Sequence, residues 1–357
     1  MIGRGIDQIL PHPGPPQIWE PYVKDARGYL RLAELETGLI PRPVEFAYPW
    51  GDALGVWSKM APQLRIVNLE TSITRSNDYW KGKGINYRMH PANTPCLTEA
   101  RINGCTLANN HLLDWGYSGL EETLATLHAA GIHTAGAGLN QAEAAAPALF
   151  ALQGKGNLHL FSCGLGSSGI PQEWGATAEK PGINLLPDLS YSTLVRLAMQ
   201  IKEVKAAGDL AVISLHWGGN WGYEVAADQR QFTHWLIDEA AVDIVYGHSS
   251  HHVKGIEIYH DKLAIYGCGD FINDYEGIKG FEHYRGELGL MYFAALEAGT
   301  GKLARLTMIP TRVRKFRVQL ATPPETAWLR DTLNREGKRL GTCVRVIKDG
   351  ELVLQRL

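Results

Sequence analysis

The chain alternates between short apolar runs and segments whose apolar residues recur every three or four positions. Runs at residues 64–69, 105–108, 158–163, 210–215, 243–246, 263–266 and 288–296 have the length and content of buried strands. Between them, Leu120, Leu124 and Leu127 lie at helical spacing, and Gly131 stops that helix. Residues 191–207 read as a long helix ended by Gly208, and Asp228 is placed to cap a helix carrying Phe232, Trp235 and Leu236. Strand and helix in alternation predict an α/β domain. After about residue 300 the rhythm changes. Residues 303–310 and 315–320 look like paired strands and 324–339 like a helix. Residues 344–348 and 352–355 flank Asp349-Gly350, a strong hairpin signal. The expected organisation is one domain over residues 1–300 with a β-rich extension over 301–357 packed on it. Residues 10–50 are rich in proline and aromatics. They are expected to form an ordered excursion that buries Trp19, Tyr22, Tyr29, Leu32 and Leu35.

Composition narrows the function classes. A chain of 357 residues, 45% hydrophobic and 20% charged, is ordinary for a globular protein. The formal net charge of -2 gives no support for a nucleic-acid or anionic-membrane partner. No stretch is long and apolar enough to span a bilayer. The first residues lack the basic and then apolar profile of a signal peptide. The five cysteines are scattered without a CxxC pair, which fits a reducing compartment. The expectation is a protein without a membrane span, located in the cytoplasm. Met1-Ile2-Gly3-Arg4-Gly5 enters structured-looking sequence at once, which leaves room for a segment upstream.

Polar residues with ligand chemistry gather just after the apolar runs, where open α/β sheets place their ligands. The run at 64–69 leads into Glu70, and that at 105–108 into Asn109-Asn110-His111 with Asp114 three residues on. The run at 210–215 leads into His216-Trp217-Gly218-Gly219-Asn220. The run ending at Tyr246 leads into Gly247-His248-Ser249-Ser250-His251-His252, and a fifth leads into Gly267-Cys268-Gly269-Asp270. Imidazole nitrogen and carboxylate oxygen suit Zn, Mn or Fe. A carboxylate such as Glu70 can bridge two cations, and two metals can stabilise both oxygens of a phosphoryl transfer. The Asn110 amide oxygen is an acceptable hard ligand. His111 beside it is placed to protonate a leaving group, with Asp114 orienting its ring. Trp217, Trp221 and Tyr223 are candidates to line a pocket. Each motif alone also has a structural reading, as a turn, a helix cap or a satisfied buried histidine. The order of four such strand ends favours the functional one.

These motifs resemble the CapA family, named for bacterial capsule and poly-γ-glutamate synthesis. The resemblance rests on Asn68-Leu69-Glu70, Ala108-Asn109-Asn110-His111-x-x-Asp114-x-Gly116, Leu215-His216-Trp217-Gly218, Gly247-His248-x-x-His251 and Tyr266-Gly267-x-Gly269-Asp270-Phe271. It runs in order from Met1 to about Ala295. It implies the metallo-dependent phosphatase fold, a four-layer αββα sandwich. By position, Glu70 resembles the bridging carboxylate, Asn110, His216, His248 and His251 further metal ligands, and His111 the catalytic histidine. Arg4, Trp217, Asn220 and Asp270 are candidates for contact with substrate. The family opens with a strand ending in Gly-Asp before a Met-x-x-Arg run. Here Met1 to Arg4 match the latter part, and the Gly-Asp would lie upstream of residue 1. Ser250 replaces a usual proline, and Asp270 stands where asparagine is frequent.

The implied activity is a divalent-metal (Mn, Zn or Fe) hydrolase of a phosphoester, or of a peptide or poly-glutamate related substrate. The metal would be absent if the missing upstream ligand proves essential. Residues 3–13 also resemble a subgroup that includes a lasso-peptide epimerase. That resemblance implies metal-free, two-base chemistry at a peptide Cα, with His283 as candidate acid/base. A third expectation is a non-catalytic component of capsule synthesis. In each case the partner is a peptide or small molecule.

Overall fold

Leu210–His216, buried at every position, becomes the centre of a seven-stranded sheet in the computed structural model, which describes residues 1–357. Its neighbours are Asn157–Leu165 on one side and Ile244–His248 on the other, both parallel to it. Lys262–Ile265 continues the parallel set, and Ile256–Tyr259 closes that edge antiparallel. Leu185–Leu186 and Ala148–Ala151 both pair with Asn157–Leu165. A strand buried on both faces is apolar except where a polar side chain meets a buried partner, as Ser214 and His216 do here. Accordingly Ala211, Ile213 and Leu215 pack with Leu194, Leu197 and Ile201 of helix Tyr191–Val204 and with Phe232 and Leu236 of helix Ala227–Ala240. Leu210 and Val212 point to the other face, against Ala135, Phe150 and Leu160.

A second, three-stranded parallel sheet carries Ile66–Asn68, Gly104–Thr106 and His133–Ala135 in that order. It faces the first. The Thr106 hydroxyl lies 3.2 Å from Ser214 Oγ and 3.3 Å from the Tyr246 hydroxyl. Helix Gly116–Ala129 buries Leu120, Leu124 and Leu127 in the same core. A third sheet, antiparallel, runs Leu288–Leu296, Leu303–Arg314, Leu352–Arg356, Thr342–Val346, with Arg317–Leu320 added to Leu303–Arg314. It draws strands from both sides of residue 300. Helix Pro323–Gly337 covers it through Leu329 and Leu333. The architecture is mixed α/β with several sheets. No helix is long and apolar enough to cross a membrane.

Local sequence accounts for much of this and misleads in two places. Asp349 and Gly350 both take positive φ, 64° and 78°, as the tight hairpin between Thr342–Val346 and Leu352–Arg356 requires. In the proline-rich excursion Tyr29 is buried. Tyr22 and Leu35, expected inside, are 96% and 85% exposed. Both lie on the outer side of a segment with one inner face. Helix Ala227–Ala240 starts one residue before Asp228, with Ala226 at its cap position. Asp228 instead accepts from the Gln229 amide.

Candidate functional site

The two parallel sheets end on the same side of the molecule, and their C-terminal ends supply most of the polar residues singled out above. Side chains two apart on a strand share a face. Ser214 and His216 therefore both look toward the three-stranded sheet, as do Tyr246 and His248. The register pairs His216 directly with His248. Gly247 allows this. A Cβ there would sit 2.4 Å from the Trp217 indole nitrogen and 2.5 Å from the Tyr266 carbonyl oxygen.

The imidazoles form a hydrogen-bonded chain. His216 Nε2 lies 3.1 Å from Asn110 Oδ1, an acceptor, so Nε2 carries the proton and donates it. His216 Nδ1 is then an acceptor for His248 Nδ1, 2.6 Å away. Ser214 Oγ lies 2.6 Å from His248 Nε2. Burial, joined for His216 by the neighbouring histidines and Lys83, pulls His216 well below its ordinary range, and burial pushes His248 down to about 3.

Glu70 reaches this pair from the end of Ile66–Asn68, with Oε1 3.9 Å from His216 Nε2. Asn68 Nδ2 donates to its other oxygen at 3.0 Å. Burial raises the Glu70 carboxyl, and Asp270 adds to the rise while His251 opposes it. His251 follows a turn in which Ser249 adopts φ 108°, a conformation that favours glycine and marks local strain. Its Nδ1 lies 3.1 Å from both oxygens of Asp270, and the Tyr275 hydroxyl lies 3.3 Å from its Nε2. Burial works against the protonated ring, but Asp270 and Glu70 outweigh it and the pKa is raised.

His111 forms the other flank. Its Nδ1 is 2.7 Å from Asp114 Oδ2 and 3.0 Å from Lys83 Nζ, and Lys83 pairs with Asp114 Oδ1 at 2.7 Å. The edge of its ring packs on Tyr87, with centroids 4.7 Å apart. Burial, reinforced by Lys83 and offset in part by Asp114, lowers it to about 4. The ring rests neutral at pH 7 and must gain a proton before it can give one.

The fold thus brings Glu70, Asn110, His111, Asp114, His216, His248, His251 and Asp270 to one region. The other candidates have different surroundings. Trp217 is buried in the helix-covered core, stacked on Tyr266. Arg4 is 2% exposed, held by Asp274 through two bonds of 2.6 and 2.8 Å and by Glu20 at 3.2 Å. Asn220 is exposed, and its carbonyl oxygen accepts from the His251 amide at 3.0 Å. His283 is exposed on the short turn Glu282–Tyr284. Its neighbour Phe281 stacks on Trp221 at 4.3 Å, and Trp221 lies 5.6 Å from His251.

Lys83, Ser214 and Tyr275 went unread in the sequence. Ser214 left a trace, as a polar residue two positions before His216 in an apolar strand. Lys83, in Lys81-Gly82-Lys83-Gly84, looks like any solvated loop lysine.

A resident metal must be tested against these residues. No group of three or more His, Cys, Asp or Glu stands in metal-holding geometry. The donor set is nonetheless of the right chemistry. Neutral imidazoles, an amide oxygen and a carboxylate are what Mn, Zn or Fe bind. The raised Glu70 carboxyl is the state a cation would reverse.

The family model described as bacterial capsule synthesis protein PGA_cap matches residues 1–275. The chain belongs to that family. A "probable polyglutamine synthesis accessory protein" of Mycobacterium tuberculosis (strain H37Rv) is 45% identical over 356 residues, covering 99% of this chain and 93% of the relative. The "PGA biosynthesis protein CapA" of Bacillus subtilis (strain 168) is 25% identical over 66% of this chain and 58% of its own length. The "capsule biosynthesis protein CapA" of Bacillus anthracis is 25% identical over 54% of this chain and 45% of its own. These matches bear out the CapA resemblance.

Proposed function

We propose that this PGA_cap protein is a metal-dependent hydrolase acting on a phosphoester or on a peptide or poly-glutamate related bond, in the service of polymer synthesis. One observation carries the reading: Glu70, Asn110, His216 and His248 converge from the strand ends of two facing sheets. In this reading the domain is the four-layer αββα sandwich of the metallo-dependent phosphatases, and the protein acts in the cytoplasm. Glu70, Asn110, His216, His248 and His251 would hold the cation, which when bound supplies Lewis-acid activation of the bond to be cleaved. The chain's own residues do the rest. Asp114 and Lys83 hold the His111 ring in one orientation, so that Nε2 takes up a proton and returns it to the leaving group. Asp270 fixes His251.

The test is elemental analysis after gentle purification, together with hydrolysis of bis(p-nitrophenyl) phosphate. Bound Mn, Zn or Fe and a hydrolysis rate lost in His216→Ala are expected. A folded protein that takes up none of these metals overturns the reading.

A second reading, a non-catalytic accessory of capsule or polyglutamate synthesis, draws on the printed names of the relatives. It predicts that His111→Ala leaves polymer yield in cells unchanged. The epimerase expectation needs His283 and an opposing base across one pocket. His283 is exposed on the turn Glu282–Tyr284, and no specific observation favours that reading over the other two.

A further inference from the structure

Helix Tyr191–Val204 covers the central sheet with Leu194, Leu197 and Ile201 and turns its other side to solvent. The outer side of such a helix is normally polar. This one carries apolar side chains. Tyr191, Val195, Met199 and Val204 are 50%, 39%, 68% and 42% exposed, and no other helix carries more than one exposed large apolar side chain. The exposed residues fall into two rows at four-residue spacing, Val195-Met199-Glu203 and Arg196-Gln200-Val204. Rows of that spacing are the ridges by which helices of globular proteins most often pack. Neither charge in the rows forms an ion pair within its own chain. The Arg196 side chain makes one bond, donating to Thr193 Oγ1 at 3.2 Å, and the Glu203 carboxylate is exposed to solvent.

We propose that this face docks a second copy of the chain, helix on antiparallel helix, about a two-fold axis passing between Met199 and Gln200. In a two-fold contact each patch must complement itself. The two rows do so. The axis sets Val195 against Val204 of the second copy, Arg196 against Glu203, and Met199 against Gln200, and it repeats each pairing on its far side. Apolar meets apolar at the ends and cation meets anion inside them. The unbranched Met199 adapts to the centre. A parallel arrangement would instead set Arg196 beside Arg196 and Glu203 beside Glu203, which is repulsive. Four-spaced ridges cross at about −50°, so the contact is centred on one helix from each copy. That is at the small end of specific interfaces, and the association is therefore reversible and concentration-dependent.

The test is the mass of the full chain in solution, read by light scattering and sedimentation over a wide range of concentration. It should rise from that of one chain, 39.4 kDa, toward twice that value. Met199→Glu should weaken association at least ~10-fold, because it places a charge at the buried axis. Arg196→Glu alone and Glu203→Arg alone should each weaken it at least ~10-fold by setting like charges together. Mixed in equal amounts, those two variants should associate with one another as tightly as the unaltered chain does with itself, since each supplies the charge the other lacks. All three side chains are exposed, so in dilute solution each variant should keep the Tm of the unaltered chain, which separates a lost contact from a lost fold. A mass of one chain at every attainable concentration overturns the proposal. So does a dimer that none of the three variants weakens, and so does a mixture of Arg196→Glu with Glu203→Arg that stays monomeric.

Discussion

The decisive residues are buried histidines, and their burial sets their response to protons and metal. His248 is held at about 3 and His111 at about 4, by burial before any other cause. A histidine whose folded pKa lies below its unfolded value of about 6.5 is protonated first in the unfolded chain. Its contribution to stability is full above about pH 6.5 and is lost as pH falls toward the folded value, at about 1.4 kcal/mol per pH unit for each ring. His251, raised beside Asp270, has the opposite sign. Its contribution is full below about pH 6.5 and fades as pH rises through its folded value. Urea midpoints of EDTA-treated protein should therefore fall steeply from pH 6.5 to 4.5, and the slope should shallow in His248→Asn. His216→Ala removes the ring that touches both Asn110 and His248. Metal affinity should drop at least ~10-fold, as read by equilibrium dialysis against Mn or Zn.

At the scale of elements, strand content follows from apolar runs, because a strand covered on both faces keeps polar side chains only where they find buried partners, as Ser214 and His216 do. The runs at 210–215 and 158–163 match Leu210–His216 and Asn157–Leu165 within a few residues. The Asp349-Gly350 hairpin was legible for a local reason, since few residue pairs accept two positive φ angles. Caps were less legible. Asp228 is chemically a good cap, but the chain enters that helix one residue earlier. Helix Pro323–Gly337 is capped from within its own first turn. Glu325 accepts from the Thr322 amide at 2.7 Å and from its hydroxyl at 2.8 Å, and pairs with Arg312 at 3.2 Å. Glu325→Ala should cost about 1 kcal/mol, seen as a lower Tm with metal binding unchanged.

For the whole molecule, a buried ion-pair network ties the N-terminal segment to the strand-end loops. The Arg4 guanidinium sits between Asp274 and Glu20 and stacks on Tyr29, 3.4 Å from the ring centroid. Removing one member leaves buried charge without a partner. Arg4→Leu should cost about 3–5 kcal/mol in urea unfolding. Adding Asp274→Asn should recover part of that loss, because the uncompensated carboxylate is then gone. The recovery measures coupling that neither single variant shows.

Read alone, the chain determined which segments are strands and helices, and that ligand-type residues follow the strands. Both are local properties, written in apolar spacing and turn chemistry. The resemblance to CapA proteins came from the same strand-end motifs. Only the tertiary structure decided which of these side chains meet. Asn110 and His216, 106 residues apart, touch because two separate sheets end on one side. Arg4, Trp217 and His283 carry equally suitable chemistry but lie in an ion-pair core, a helix-covered core and an exposed turn. Side-chain chemistry is set by the residue. Proximity is set by register and by the packing of one sheet on another, which no short stretch of sequence records.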